Sequence, residues 1–254
     1  MDHPESSLNR IATDAPRRGK VFALSGPSAA GKSTLLKPLR EQSDQFHFSV
    51  SATTRGPREG ETDGKDYHFV SEEMFDAHIH NGDFLEHAGD YGNRYGTLHA
   101  PIEAALASGK DVLIDVNYAG VKALRKALPH DLVSVFVRPP HAREQDKPSY
   151  LEPGKHALST AQIDEIVTIL DKRIHERDGA KKDPAYFADR LGKAPQVLRE
   201  APYYDQVIVN SGTEAETQAV FHRLVEMYAA KRGPIHAVRD QGTIDPHARG
   251  QDIA

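Results

Sequence analysis

The stretch GPSAAGKST, Gly26 to Thr34, follows the apolar run VFAL at a point where a strand should hand over to a helix. It fits the pattern G-x-x-x-x-G-K-[ST]. Glycines in such a loop let backbone N–H groups turn inward around phosphate oxygens. Lys32 can reach the outer phosphates of a nucleotide, and the Ser33 hydroxyl can meet Mg²⁺. The helix that opens near Lys32 points its positive end at the same anion. Gly26, Pro27, Ser28, Ala29, Ala30, Gly31, Lys32, Ser33 and Thr34 are therefore the expected cradle for a phosphate chain. The motif also fixes local structure, because it works only between a buried strand and a helix N-terminus. Pro38 lies inside that helix and should kink it or end it early.

The rest of the chain supports an α/β frame. Val21–Leu24, Val112–Val116, Leu132–Val137 and Val207–Val209 are continuous Val, Ile and Leu-rich runs. Such runs suit strands buried on both faces of a parallel sheet. Helical patterns lie between them over Lys32–Gln42, Tyr118–Ala127 and Ala161–Arg177, and Ser159 with Gln162 forms a capping-box pattern. Alternation of this kind gives a parallel sheet with helices on both faces. The middle of the chain differs. FHFSVSATTR, DYHFV, FLEHA and RYGT are short, aromatic and β-prone, separated by Gly-rich turns, and predict a small mixed or antiparallel β subdomain inserted into the frame.

Composition sets outer bounds. The 254 residues contain no cysteine, which excludes a disulfide framework and thiolate metal sites. A net charge of −5 argues against a broad nucleic-acid surface. No apolar run approaches the roughly 18 residues of a membrane span, and the first residues lack the apolar core of a secretory signal. A cytoplasmic protein acting on small molecules is the expectation. Residues 1–19 read as a disordered leader and residues 231–254 as a disordered tail. The 14 histidines include HIH at 78–80, but residues two apart on a helix do not share a face, so no metal site is expected there.

A second candidate phosphate loop lies in SATTRGPREGETDGKDYHFV. Arg55 and Arg58 flank a Gly-Pro turn that can aim two guanidinium forks at one group, and Tyr67 can add a neutral donor. Here the chain resembles the guanylate kinases. The resemblance runs from about Lys20 to Val225 and rests on GPSAAGKST, SATTRGPREGETDGKDYHFVS, GDFLEHAGDYGNRYGT, DVLIDVN and YDQVIVN, in the family's order.

That resemblance implies a P-loop NTPase core, a GMP-binding β subdomain over residues 51–98, and an insertion with a helical lid over residues 139–200, within one domain of residues 20–230. It implies transfer of the γ-phosphoryl group of ATP to GMP, and to dGMP, with Mg²⁺ as cofactor. Arg55, Arg58, Tyr67 and Tyr95 match positions that hold the acceptor phosphate, while Ser51, Glu86 and Thr97 match positions that contact the base. A fixed carboxylate such as Glu86 suits guanine, whose N1–H and N2–H₂ donors lie on one edge. Against adenine it would face an acceptor nitrogen, and sites built this way discriminate by roughly 10⁴ or more. Asp115, at the carboxyl end of a buried strand, matches a family aspartate and is assigned with Ser33 to Mg²⁺. Lys32, Arg55, Arg177 and Arg190 match catalytic positions, the two lid arginines being slightly farther apart than is usual.

Two departures stand out. Residues 141–158 form an unusually long, Pro-rich connection before the lid, read as a tolerated surface loop. Asn117 stands where the family has a second aspartate that helps hold guanine. It keeps an acceptor oxygen but loses the charge and adds a donor. Two rival readings are a guanylate-kinase-like binding module and a related kinase for another small phosphate ester. The intact Gly31, Lys32 and Ser33 weigh against the first, and Glu86 with the full Ser51–Tyr67 motif weighs against the second. Asn117→Asp is expected to lower the KM for GMP in steady-state assays. An unchanged or raised KM would show that the departure is no weakness.

Overall fold

The computed structural model describes residues 18–41, 44–58, 60–90, 92–144, 149–151, 157–179 and 183–230. Strands β1 (Val21–Ser25), β2 (Phe46–Phe48), β7 (Asp111–Asp115), β8 (Leu132–Arg138) and β10 (Gln206–Val209) lie parallel in the order β2-β7-β1-β8-β10. β9 (Ser149–Leu151) adds an antiparallel edge on β10. The four apolar runs thus form the sheet interior, as their composition demands.

Alternation along each strand splits the core in two. Val21, Ala23, Val112, Ile114, Phe136 and Val207 face one side. There they meet α3 (His99–Ala107), α4 (Tyr118–Ala127), α5 (Thr160–Asp178) and α6 (Pro184–Arg199) through Leu106, Leu124, Ile166 and Leu198. Phe22, Leu24, Leu113, Val135, Val137 and Ile208 face the other side. They pack on α1 (Lys32–Leu36) and α7 (Glu214–Ala229) through Leu35, Leu36, Phe221 and Leu224. α1 is short because Pro38 follows at once and opens a 3-10 turn over Pro38–Glu41. α5 begins with the expected capping box: Gln162 N donates to Ser159 Oγ at 3.3 Å and Ser159 N to Gln162 Oε1 at 2.8 Å.

A second sheet has the order β4-β3-β6-β5, from β3 (Ala52–Thr53), β4 (His68–Phe69), β5 (Phe84–Asp90) and β6 (Asn93–Leu98). β3 runs parallel to β4; the other two pairings are antiparallel. The helix α2 (Glu72–Asn81) covers it through Phe75, whose ring lies 4.7 Å from that of Phe84. Phe46–Phe48 does not belong to this subdomain, as FHFSVSATTR suggested, but pairs parallel with β7. Phe46 is buried in the core of the main sheet, so its aromatic character reflects that core.

The chain ends expected to be disordered lie outside the described residues, except at the inner boundary of the leader. There Arg18 donates to Asp131 at 2.8 Å and to both oxygens of Glu103 at 2.6 Å, so the fold starts two residues earlier than read. No helix among the described residues is long and apolar enough to cross a membrane.

The 141–158 connection also departs from the expected surface loop, although residues 145–148 and 152–156 lie outside the description. Its residues 149–151 form β9. Its start is tied to the core: Arg138 is 1% exposed and makes a bidentate pair with Glu144 at 2.6 and 2.7 Å. Burial alone would raise the Glu144 carboxyl, but the Arg138 guanidinium, helped by the His141 backbone N–H and ring, outweighs it and holds the group below the ordinary range. Removing one partner of such a pair leaves a buried charge unpaired. Glu144→Gln is expected to lower the free energy of unfolding by about 3 kcal/mol near pH 7. A carboxyl depressed in the folded state stabilises only while ionised, so the gap to wild type should narrow as pH falls through the carboxylate range. Equal urea midpoints at pH 7 would refute this role.

Candidate active site

The loop Gly26–Thr34 leaves β1 at the carboxyl edge of the sheet. Gly26 has φ +139°, and a Cβ there would sit 2.1 Å from the Val137 carbonyl oxygen of the adjacent strand. Gly31 has φ +100°, and a Cβ there would sit 2.0 Å from Asn210 Nδ2. Both positions therefore require glycine by conformation and by space. Ala29, at φ 61°, is the one other left-handed residue among the described non-glycines. The loop is braced from behind by Asn210, which ends YDQVIVN. Its Nδ2 donates to Ala30 O at 2.9 Å, and its Oδ1 accepts from Thr217 Oγ1 at 2.9 Å. Lys32 Nζ donates to Gly26 O at 2.9 Å, so the ammonium sits within the loop it serves.

Across from the loop opens a cleft of about 600 Å³. Lys32, Arg55, Arg58 and Tyr67 line it together with Ser51, Glu86, Tyr95, Asp115 and Asn117. The two guanidinium groups and the ammonium therefore share one hollow. Arg55 is held by Glu61 through two bonds of 2.9 Å, and Arg58 N donates to the same carboxylate at 2.7 Å. Glu61 thus braces the Gly-Pro turn, and the Arg55 charge holds its carboxyl below the usual range. The Arg55 guanidinium also lies 5.2 Å from the Tyr67 ring. Burial, with the nearby Asp115, raises the Tyr67 hydroxyl above its ordinary value, which keeps it a neutral donor.

Glu86 is buried on β5, and its carboxyl is raised by that burial, opposed by a bond from Thr97 Oγ1 at 2.6 Å. Thr97, read as a base contact, is fully buried behind Glu86 and reaches the cleft through that carboxylate. Gly120 makes room for the group, since a Cβ there would lie 3.1 Å from Glu86 Oε2. Asn117 caps α4, its Oδ1 accepting from Gly120 N at 2.9 Å. It therefore both lines the cleft and starts a helix. Asp115 ends β7 at the cleft floor. Crowding there raises its carboxyl, opposed by Lys32 and Arg40, and because the side chain opens onto the cleft, water limits the rise.

A second cleft of about 530 Å³ runs along the loop from Gly26 to Thr34 and against α5 and α6. Gly26, Lys32, Asn117 and Arg190 line both clefts, so the two join beside the loop. Arg190 Nη1 donates to Ser28 Oγ at 2.9 Å, and Arg177 Nη2 approaches the same atom at 3.4 Å. Arg173 was not singled out in the sequence, yet it lines this cleft and is partly buried. Its position four residues before Arg177, on the same face of α5, is the signal that could have found it. By the same spacing Tyr186 precedes Arg190 on α6 and lines the first cleft.

Comparisons with known proteins bear on the family and the fold. The family model described as guanylate kinase matches residues 18–157. A guanylate kinase of Rhodopseudomonas palustris strain HaA2 is 37% identical over 219 residues, 86% of each chain. One from Nitrobacter winogradskyi is 37% identical over 207 residues, 80% of this chain and 82% of that one. The crystal structure of guanylate kinase from Anaplasma phagocytophilum has the same fold, with a TM-score of 0.57 and 24% identity over 86% of this chain and 88% of that one. A phosphate loop facing an Arg-lined acceptor cleft, with sequence likeness on this scale, places the chain in the guanylate kinase family.

Proposed function

We propose that this protein transfers the γ-phosphoryl group of ATP to GMP, giving ADP and GDP, and accepts dGMP as well. The observation that carries the reading is the junction of the two clefts at Lys32 and Arg190, between the nucleotide loop and the Arg55–Arg58 turn. A phosphoryl group has only a short path to travel there. Little covalent chemistry is asked of the protein; alignment and positive charge do most of the work.

In this reading the backbone amides of Gly26–Thr34 and Lys32 hold the phosphates of ATP. Arg55, Arg58, Tyr67 and Tyr95 hold the phosphate of GMP. Glu86 accepts both donors of the guanine edge, Ser51 and Asn117 complete its surround, and Thr97 keeps the carboxylate in place. Arg177 and Arg190 supply charge around the moving group. Mg²⁺ fits the site sparsely: Ser33 and Asp115 line one hollow, and no cluster of three or more His, Cys, Asp or Glu occurs among the described residues. Those two residues would hold it with help from phosphate oxygens and water. When bound it neutralises charge on the β- and γ-oxygens.

A coupled assay with Mg-ATP and GMP, dGMP, AMP, CMP or UMP tests the assignment. Turnover with GMP and dGMP is expected. Turnover with AMP but not GMP would overturn the acceptor, and none with any would favour a binding module. Lys32→Ala is expected to cut kcat by about a hundredfold or more; near-normal kcat would remove Lys32 from the mechanism. Glu86→Gln is expected to reduce kcat/KM for GMP by about 10- to 100-fold and to narrow the preference over AMP. A preserved preference would move guanine recognition elsewhere.

A further inference from the structure

The two lid arginines converge on Ser28 from different helices, and the residues between them explain how. Asp178, the last residue of α5, accepts from Arg177 Nη2 at 2.7 Å and from Arg177 Nε at 3.1 Å. The same carboxylate oxygen accepts from the Tyr186 hydroxyl of α6 at 2.9 Å. The Tyr186 ring in turn lies under the Arg190 guanidinium, 4.4 Å from its central carbon. One carboxylate and one phenol therefore link both guanidinium groups into a single assembly. Asp178 is only 18% exposed at its side chain, and the Arg177 bonds hold its carboxyl below the usual range, so it stays ionised.

We propose that Asp178 and Tyr186 are a positioning pair that holds Arg177 and Arg190 against the phosphate loop. The proposal rests on the phosphotransferase reading above and adds to it two residues that act through the arginines they hold. A carboxylate beside an arginine weakens the positive field it offers to a phosphate. In exchange it fixes the guanidinium plane, and a fixed donor needs no reorganisation when charge develops. Arg177 Nη2 has two protons, so one can serve Asp178 while the other faces Ser28. Tyr186 acts twice, through its hydroxyl on Asp178 and through its ring face on Arg190. The helix corner does not depend on this pair, because His175 and Phe187 stack across it at 4.1 Å with planes 8° apart. Removing the hydroxyl or the charge should therefore leave the fold standing.

Steady-state kinetics on the full chain with Mg-ATP and GMP test the pair, with urea midpoints measured beside them. Tyr186→Phe and Asp178→Asn are each expected to lower kcat about five- to tenfold while both KM values stay within about twofold. The double variant should lose less than the product of the two single losses, since the two changes share the bond between the Tyr186 hydroxyl and the Asp178 carboxylate. Tyr186→Leu, which also removes the ring from Arg190, should lose more than Tyr186→Phe. Unchanged or raised kcat in both single variants, with wild type active on GMP, would overturn the positioning role alone. So would losses that simply add in the double variant, or that follow a matching fall in the urea midpoint. A wild type that does not phosphorylate GMP would sink this proposal together with the reading it rests on.

Discussion

Parallel pairing of β1 with β7 and β8 is the constraint from which the site follows. It ends three strands at one edge, with Leu24 beside Asp115 and Ser25 beside Phe136. The chain must leave β1 there and turn at once into α1. The turn has no room for side chains at Gly26, where Val137 of the next strand presses close, or at Gly31, where the Asn210 side chain does. Bare backbone amides at a helix N-terminus are the result, and an anion is what they bind best. Asp115 arrives at the same edge because β7 is in register beside β1. The second sheet, the cap on α4 and the helices α5 and α6 all deliver their groups to that edge.

A second theme is that the cleft's cationic groups come with partners. Arg55 leans on Glu61, Arg177 on Asp178, Arg190 on Ser28 and the Tyr186 ring, and Lys32 on the loop carbonyl of Gly26. Clustered positive charge repels itself, and each long side chain has much rotamer freedom to lose. Glu61 and Asp178 offset the charge, and every partner, charged or neutral, limits the rotamer freedom. They also make each donor directional, which suits a reaction governed by alignment more than by covalent help.

Much of this was legible in the chain itself, and the reason is local. The strand runs carried their burial in composition, Pro38 carried the end of α1, and Ser159 with Gln162 carried the start of α5. The phosphate loop and the Arg55–Arg58 turn are contiguous, so their residues appear side by side in the sequence. What stayed hidden depends on contacts between distant segments. Asn210 braces Ala30 across 180 residues, and the buried Thr97 hydroxyl is bonded to Glu86. Phe46 looked like part of the aromatic middle because only the sheet order shows which core it fills. The pairing of Arg138 with Glu144 gave no signal, since an arginine after a strand is ordinarily solvated.

The short strand β9 has a consequence of its own. It hydrogen-bonds to β10, whose chain continues directly into Asn210, and Asn210 grips the nucleotide loop. A segment that looks free to vary in length is thus stitched one strand away from the most demanding backbone in the molecule. A slip of register within those three residues would pull on the ladder and be felt at Ala30.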